Sequence, residues 1–266
     1  MRFKNLLVIS LLLLIGSCAV TKEPLKLKPS DFKNAPVSQL SKIDKAYLKP
    51  LAGAEKKVVK LSTDILFNNR VNCIFLRLKD ALPKTIEASK LEVIVIEDPA
   101  ANAFFSNASS TLTVTSGLSK LTDTNDELAV VIATVISPVS REQNIKRLQK
   151  ASVINNFLFK NKVSPEAKTL TMMSMNIPTT KERIQTDESG RKLMTTAGFN
   201  PVASLTLLEK LKSQLRPMSE DDSEMFRVNY EKQTLEFEQR INAANQDIAK
   251  LESKYKEALT NNQSCI

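Results

Sequence analysis

The reactions open to this chain are limited by its side-chain inventory, because its 266 residues include three cysteines and no histidine. A serine, threonine or cysteine nucleophile needs a neighbouring base, and without histidine only a lysine, a carboxylate or an N-terminal amine could serve. Ser137 with Lys181 is one such pair, although nothing around it marks it as reactive. Cys73 and Cys265 are weaker candidates, since no imidazole is available to activate either thiol.

The third cysteine, Cys18, stands at the end of an N-terminal export pattern. Two basic residues precede an apolar run at residues 6–15, which is too short to span a bilayer as a mature helix. The small residues before Cys18 resemble the lipobox of bacterial lipoproteins, which implies removal of residues 1–17 and acylation of Cys18; an ordinary signal peptide is the alternative. Ala19 follows in place of an Asp, so we expect a periplasm-facing lipoprotein anchored in the outer membrane.

The other two cysteines form an even pair in the mature chain. In an oxidising periplasm such a pair favours a disulfide, here between Cys73 and Cys265. It would close a very long loop and contribute on the order of 5 kcal/mol in the chain-entropy description. Whether the two residues approach each other is not fixed by the sequence.

The chain is basic, with a formal net charge of +9. This surplus favours contact with anionic lipid or acidic partners, and an ordinary basic surface is the plain alternative. No stripe of Arg and Lys with interleaved aromatic residues occurs, so we expect no nucleic-acid partner.

Hydrophobic patterning predicts an α+β domain at residues 51–216, which follows a flexible tether at residues 18–50. Asp123 or Asn125 is expected to cap the helix that ends at Ile136. The predicted elements are a helix at 53–80, a strand at 91–97, a connection at 103–109, a strand at 110–115, the capped helix to residue 136, helices at 141–160 and 180–198, and a short helix after Pro201.

Residues 217–266 are predicted to form a C-terminal helix with a heptad-like apolar seam. The seam would pack the helix on its own domain or pair it in a coiled coil with another protein or a second copy, which would make a homodimer. Its members are Phe237, Ile241, Ala244, Ile248, Leu251, Tyr255 and Ala258.

Several short segments share the order and spacing of a known family. Together they resemble the HtpX/BepA-like zinc metallopeptidases over about residues 55–241. The resemblance implies a minimal gluzincin-like fold with a small sheet, a helical body and a long C-terminal helix. The segments are Asn102-Ala103-Phe104, Val114-Thr-Ser-Gly117-Leu118, Asp126-Glu127-Leu128-Ala129, Gln185-Thr-Asp187-Glu-Ser-Gly190, Ala197-Gly198-Phe199-Asn200-Pro201 and Glu238-Gln-Arg240-Ile241.

The resemblance also locates the positions of the family's zinc site, and here they carry unsuitable side chains. Thr134 and Pro138 occupy the places of the two histidine ligands, and Val135 that of the general base. Arg183 takes the place of the glutamate ligand, and a downstream histidine falls near Thr234. Zinc binds thiolate, imidazole and carboxylate groups, while Arg183 keeps its positive charge. We therefore expect a pseudopeptidase with no metal and no other cofactor.

These replacements carry structural expectations of their own. Arg183 and Asp187 lie one helical turn apart and are expected to pair. Pro138 should kink or end the former metal helix near Ser137. Val135 and the isoleucine after it are expected to help fill the space that the metal would have left.

The hypothesis that follows is a non-catalytic lipoprotein that binds an envelope protein or a peptide at the former peptidase cleft. Asn102, Ala103 and Phe104 are its candidate binding residues, although Asn102 also suits backbone hydrogen bonding at a strand edge. Working relatives of the BepA kind act in quality control of outer-membrane protein assembly, so the resemblance implies a partner there. The alternatives are a structural or oligomerising lipoprotein that acts through its C-terminal helix, and a hydrolase with a relocated, non-metal site.

Overall fold

The computed structural model describes residues 60–84, 88–106, 110–147, 178–219, 221–259 and 265. The predicted signal peptide, Cys18 and the tether lie outside these residues, as does the end of the helix predicted at 141–160. The elements are α1 (Ile65–Asp80), a 3-10 turn (Ala88–Lys90), β1 (Glu92–Ile96), β2 (Ala103–Ser106), β3 (Thr111–Thr115), α2 (Leu118–Leu121), α3 (Asn125–Ile136), α4 (residues 138–147), α5 (Thr180–Thr196), α6 (Ala203–Ser213) and α7 (Glu224–Leu259).

The three strands form one mixed sheet, in the order β1-β3-β2. β1 runs parallel to β3, whereas β2 runs antiparallel to it and lies at the edge. The prediction of an irregular connection at residues 103–109 is therefore wrong for Ala103–Ser106, which forms β2. Its backbone pairs with β3, with Phe104 opposite Thr113, and this tertiary pairing is invisible in so short a segment.

The first described helix begins later than predicted, at Ile65 instead of residue 53. Asp64 caps it, since its side chain accepts a hydrogen bond from the backbone N–H of Phe67 at 3.0 Å. The residues just before it are extended, and Leu61 forms a bridge with Ile96 of β1. This pairing along the outer side of β1 replaces the predicted helix at residues 60–64, and residues 53–59 lie outside the described part of the chain.

Helix α3 is capped by Thr124, so the prediction of Asp123 or Asn125 as its cap is wrong. Thr124 and Glu127 form a capping box. The Glu127 carboxylate is buried and also accepts a hydrogen bond from Lys210 Nζ of α6 at 2.9 Å. Hydrogen bonds from Lys210 to Asp123 and Glu127 tie α6 to the start of α3. The same hydrogen bonds raise the pKa of Lys210 above its usual value.

Helix α3 ends at Ile136, which confirms the expected stop near Ser137. Ser137 has an extended ψ of 152°, the conformation favoured before a proline. Pro138 then opens α4, where its missing N–H costs nothing. The Ser137 hydroxyl accepts a hydrogen bond from the backbone N–H of Ser140 at 3.2 Å and caps the new helix.

Helix α3 forms the centre of the domain. It packs against α1, α5, α6 and β2. The aliphatic side chains that α3, α1, β3 and α5 direct toward one another form the core, which rests on apolar burial without tryptophan. The fully buried members include Val71, Ile74, Leu78, Leu112, Val114, Leu128, Ile132, Ile136 and Met194.

The C-terminal helix α7 begins at Glu224, seven residues later than predicted, because Ser223 caps it through the backbone N–H of Phe226. It lies along α5 and α6. Ala244 and Leu251 of the predicted seam are buried, and the other seam residues are partly buried. The seam therefore packs on the helix's own domain, one of the two arrangements that the sequence left open.

A disulfide joins Cys73 of α1 to Cys265, with the Cα atoms 5.9 Å apart. Asn125 Nδ2 donates a hydrogen bond to the Cys265 carbonyl at 2.7 Å. Nearby, Arg77 stacks on the Phe199 ring at 4.1 Å, and burial lowers the pKa of its guanidinium. The C-terminus is thus fixed to the core next to α1.

Replacing Cys265 by serine should lower the free energy of unfolding by up to about 5 kcal/mol, because the bond spans 192 positions of sequence. Urea unfolding followed by circular dichroism would measure the change. Dithiothreitol should destabilise the unsubstituted protein by a similar amount and leave the variant unaffected. An unsubstituted protein that is insensitive to dithiothreitol would contradict the expectation.

Candidate functional site at the crossing of α3 and α5

Thr134 and Arg183, two of the positions that correspond to zinc ligands, lie on the packed helices α3 and α5. Thr134 is in the last turn of α3, and Gly190 of α5 faces it directly. A Cβ on Gly190 would lie 2.8 Å from Thr134 Oγ1 and 2.9 Å from Thr134 Cα. Only glycine allows this approach, so Gly190 sets the distance between the two helices.

A cleft of about 480 Å³ opens beside this crossing. Its wall includes Thr134 and Val135 from α3 and Arg183 from α5, together with Asn102 and Ala103 at the start of β2. The remaining wall is mainly apolar. It is formed by side chains such as Val130, Val131, Leu207, Leu208, Leu211 and Phe237.

Two of the predicted site residues are not part of this wall. Pro138 begins α4, and Phe104 lies on the edge strand with 47% of its surface exposed. Of the two apolar residues expected to fill the vacated space, Val135 lines the cleft and Ile136 is fully buried in the core. Asn102 is held through its backbone, because its N–H donates to Thr115 Oγ1 at 2.8 Å.

The ion pairs of the cleft wall differ from the predicted pairing of Arg183 with Asp187, which is wrong. Asp187 instead accepts two hydrogen bonds from Arg240 of α7, at 2.7 Å from Nε and 3.2 Å from Nη2. This bidentate geometry is the strongest that an arginine and a carboxylate can form. Arg183 pairs with Glu236 of α7 at 3.1 Å.

Deeper in the same wall lies a charged pair that sequence reasoning did not identify. Arg191 of α5 is 1% exposed, and its Nε donates to Asp247 Oδ2 of α7 at 2.9 Å. Arg191 follows Asp187 by one helical turn and also borders the cleft. That spacing was the only available signal, because nothing in the sequence shows which helix faces α5.

A smaller pocket of about 160 Å³ adjoins the cleft. Thr134, Arg183, Asp187 and Arg240 border both spaces and so form a shared wall. Arg147 of α4 lies on the far side of the smaller pocket, with polar side chains that include Gln143 and Thr186. The Arg183 side chain is 38% exposed at this wall.

This donor set does not fit a zinc ion. Zinc needs imidazole, thiolate or carboxylate ligands, and the three corresponding positions offer a hydroxyl, a pyrrolidine ring and a guanidinium. The carboxylate of Asp187 is already held by Arg240. Within the described ranges, no group of three or more His, Cys, Asp or Glu side chains is arranged to hold a metal ion.

The surroundings of Ser137 and Lys181 do not support the alternative catalytic dyad. Ser137 is fully buried, and its hydroxyl is used at the junction of α3 and α4. Lys181 lies exposed in the first turn of α5. Thr234, near which the downstream histidine was expected, has a buried hydroxyl without a hydrogen-bond partner among the described residues.

The mixed sheet, the crossed helices and the cleft between them define a metallopeptidase-like domain. The model of peptidase family M48 matches residues 67–232, and the chain therefore belongs to this family. A comparison with curated proteins finds no match. No helix in the described part of the chain combines the length and apolar character needed to cross a membrane.

Replacing Gly190 by alanine tests the close approach of α3 and α5, because the approach decides whether the free energy of unfolding falls or rises. In an open helix position alanine is more stable than glycine by about 0.5–1 kcal/mol. At this crossing the added methyl group meets the Thr134 backbone, so we expect a loss of about 1–3 kcal/mol in urea unfolding. Ser189→Ala is the matched control on the same helix and should change stability little. A stabilised Gly190→Ala variant would refute the close approach.

The Asp187–Arg240 pair should matter more than an exposed pair on the same helix. Its side chains are 11% and 15% exposed, so Asp187→Asn removes the bidentate carboxylate from a shielded guanidinium and leaves it only Glu236, at 3.7 Å from Nη1. We expect unfolding free energy to fall by about 3 kcal/mol. Glu238→Gln removes the Lys212–Glu238 pair, whose side chains are 35% and 50% exposed, and should cost below about 1 kcal/mol. Equal losses in urea unfolding would contradict the assigned role.

Proposed function

We propose that this family member is not a peptidase and that it binds an extended peptide segment of another protein in the cleft. The observation that carries the proposal is an open, largely apolar cleft with an arginine at the place of a zinc ligand. A guanidinium repels a divalent cation and cannot activate water as a base. The space for a polypeptide is present, whereas the groups for cleaving it are replaced.

The edge strand supports a peptide as the bound species. β2 lies at the edge of the sheet, and its first residue, Ala103, borders the cleft. No described strand pairs with its outer side, so those backbone groups are open to an added strand. An extended segment placed there would form main-chain hydrogen bonds and direct alternate side chains toward the apolar wall.

The cellular setting of the proposal rests on the N-terminal sequence. The pattern before Cys18 favours a lipid anchor in the outer membrane, with the domain in the periplasm. A binding protein in that place would meet unfolded or partly assembled envelope proteins. We therefore propose a partner in outer-membrane protein assembly or quality control.

A structural role through α7 is the second candidate, and one surface favours it. Met225, Val228 and Leu235 on the first half of the helix are 70%, 57% and 54% exposed. They follow helical spacing and form an apolar stripe separate from the seam that packs on the domain. Such a stripe suits a partner helix, including that of a second copy.

Photo-crosslinking separates these candidates. A benzoylphenylalanine at position 102 in the cleft, or at the exposed position 225 on α7, would be irradiated with a labelled, reduced and carboxymethylated protein as an unfolded target. We expect crosslinks from position 102 and few from 225. Mass spectrometry of the target after incubation with added zinc should show it uncleaved.

Each other outcome selects a different function. Crosslinks from position 225 alone would replace the cleft with the α7 surface. Cleavage that a chelator abolishes would show a working metallopeptidase and overturn the proposal. Cleavage that resists chelation and is lost on changing a serine or cysteine would establish a relocated hydrolytic site.

A further inference from the structure

We infer that the cleft prefers peptides that carry a carboxylate, and that Arg183 is the residue that binds it. This inference rests on the proposed peptide-binding function and names the class of peptide. It derives from the charges on the shared wall, from the incomplete bonding of Arg183 and from the small polar pocket behind it.

The charged side chains around the two spaces leave a positive surplus. Four guanidinium groups border the cleft or the smaller pocket, on Arg147, Arg183, Arg191 and Arg240. Three carboxylates pair with them: Asp187 with Arg240, Glu236 with Arg183, and Asp247 with Arg191. Arg147 has no carboxylate among the described groups and donates instead to Asn144 Oδ1 and Gln143 Oε1, so the positive surplus around the two spaces favours an anion.

Arg183 is the member of this group that is best able to accept a new ligand. Arg240 directs two N–H groups at Asp187, and Arg191 is shielded from solvent. Arg183 contacts Glu236 through its buried Nε at 3.1 Å, and its Nη1 and Nη2 make no hydrogen bond to another described residue. Its side chain is also 38% exposed. An incoming carboxylate could therefore form charge-assisted hydrogen bonds without displacing Asp187.

The surroundings of Arg183 fit a carboxylate attached to an apolar segment. On one side lies the apolar cleft of about 480 Å³, and on the other the polar pocket of about 160 Å³. A peptide whose apolar side chains occupy the cleft would bring a terminal or side-chain carboxylate to the shared wall. Hydrophobic contact would supply affinity, and the guanidinium would supply selectivity.

The test compares three fluorescein-labelled hexapeptides of leucine and threonine by fluorescence anisotropy. One has a free C-terminal carboxylate, one a C-terminal amide, and one an amide with an internal glutamate. We expect at least one acidic peptide to bind about tenfold more tightly than the neutral amide, as for one charge-assisted contact. The acidic peptide with the higher affinity identifies the carboxylate's source.

Arg183→Gln should reduce binding of the acidic peptide to the level of the neutral amide and leave the amide unchanged. Lys181→Gln removes the same charge two residues away, at an exposed position that borders neither space, and should keep the preference. Lys181→Gln should match the unsubstituted protein in thermal unfolding, and Arg183→Gln should be only slightly less stable, because Arg240 Nη1 still lies 3.7 Å from Glu236.

The remaining results each refute a defined statement. If the neutral amide and the acidic peptides bound with equal affinity, the carboxylate inference would be overturned, while the peptide-binding cleft would remain. An acid preference that survives Arg183→Gln would place the carboxylate elsewhere and overturn the role of Arg183. Displacement of the peptide by decanoate at equal concentration would show that a peptide backbone is not required. No binding of any peptide would refute the proposed function itself.

Discussion

A buried guanidinium needs a partner that compensates for its lost hydration, and carboxylates serve this purpose where α7 lies against the domain. Three ion pairs join α5 to α7: Arg183 with Glu236, Asp187 with Arg240, and Arg191 with Asp247. Along α5 the signs alternate at steps of four residues, and along α7 the complementary signs follow. Sliding either helix by one turn would oppose like charges at this contact. The alternation therefore fixes the register of the two helices more sharply than apolar packing alone.

The same series of pairs gives the cleft its character. At one end Arg191 is almost completely buried, so the wall there is closed. At the other end Arg183 is partly exposed and contacts Glu236 through Nε. The crossing at Gly190 holds Thr134 directly against α5, which leaves no side chain of α5 between that helix and the end of α3. The result is a cleft with a fixed polar wall and an apolar remainder.

The architecture was largely predictable from the sequence, because apolar periodicity and segment order survive in a single chain. The α+β class and the approximate positions of α3, α5 and α7 followed from those patterns. The edge strand Ala103–Ser106 did not, because its conformation depends on pairing with β3. Nor did the true start of α1, where residues before Asp64 pair with β1.

The site was less predictable than the fold because its ion pairs join residues that are far apart in the sequence. Helical spacing places Arg183 one turn from Asp187 and therefore predicts an ion pair between them. The structure prefers partners more than fifty residues away, since Arg240 reaches Asp187 in bidentate geometry. The six charged residues of the three ion pairs between α5 and α7 recur in the sequence at intervals that place them on one face of each helix. No single-chain pattern, however, states which helices face each other.

The side chains at the zinc-ligand positions are compatible with the three ion pairs between α5 and α7. A histidine restored at position 134 would still face a wall in which Arg183 opposes a cation and Arg240 occupies the nearest carboxylate. A histidine at position 138 would stand beyond the end of α3, in the first turn of α4, because the chain changes direction at Ser137. Arg183 in turn has Glu236 as its counter-charge on α7. Rebuilding a metal centre would thus require changes on α3, α5 and α7 together, since the present charges are matched to one another across those helices.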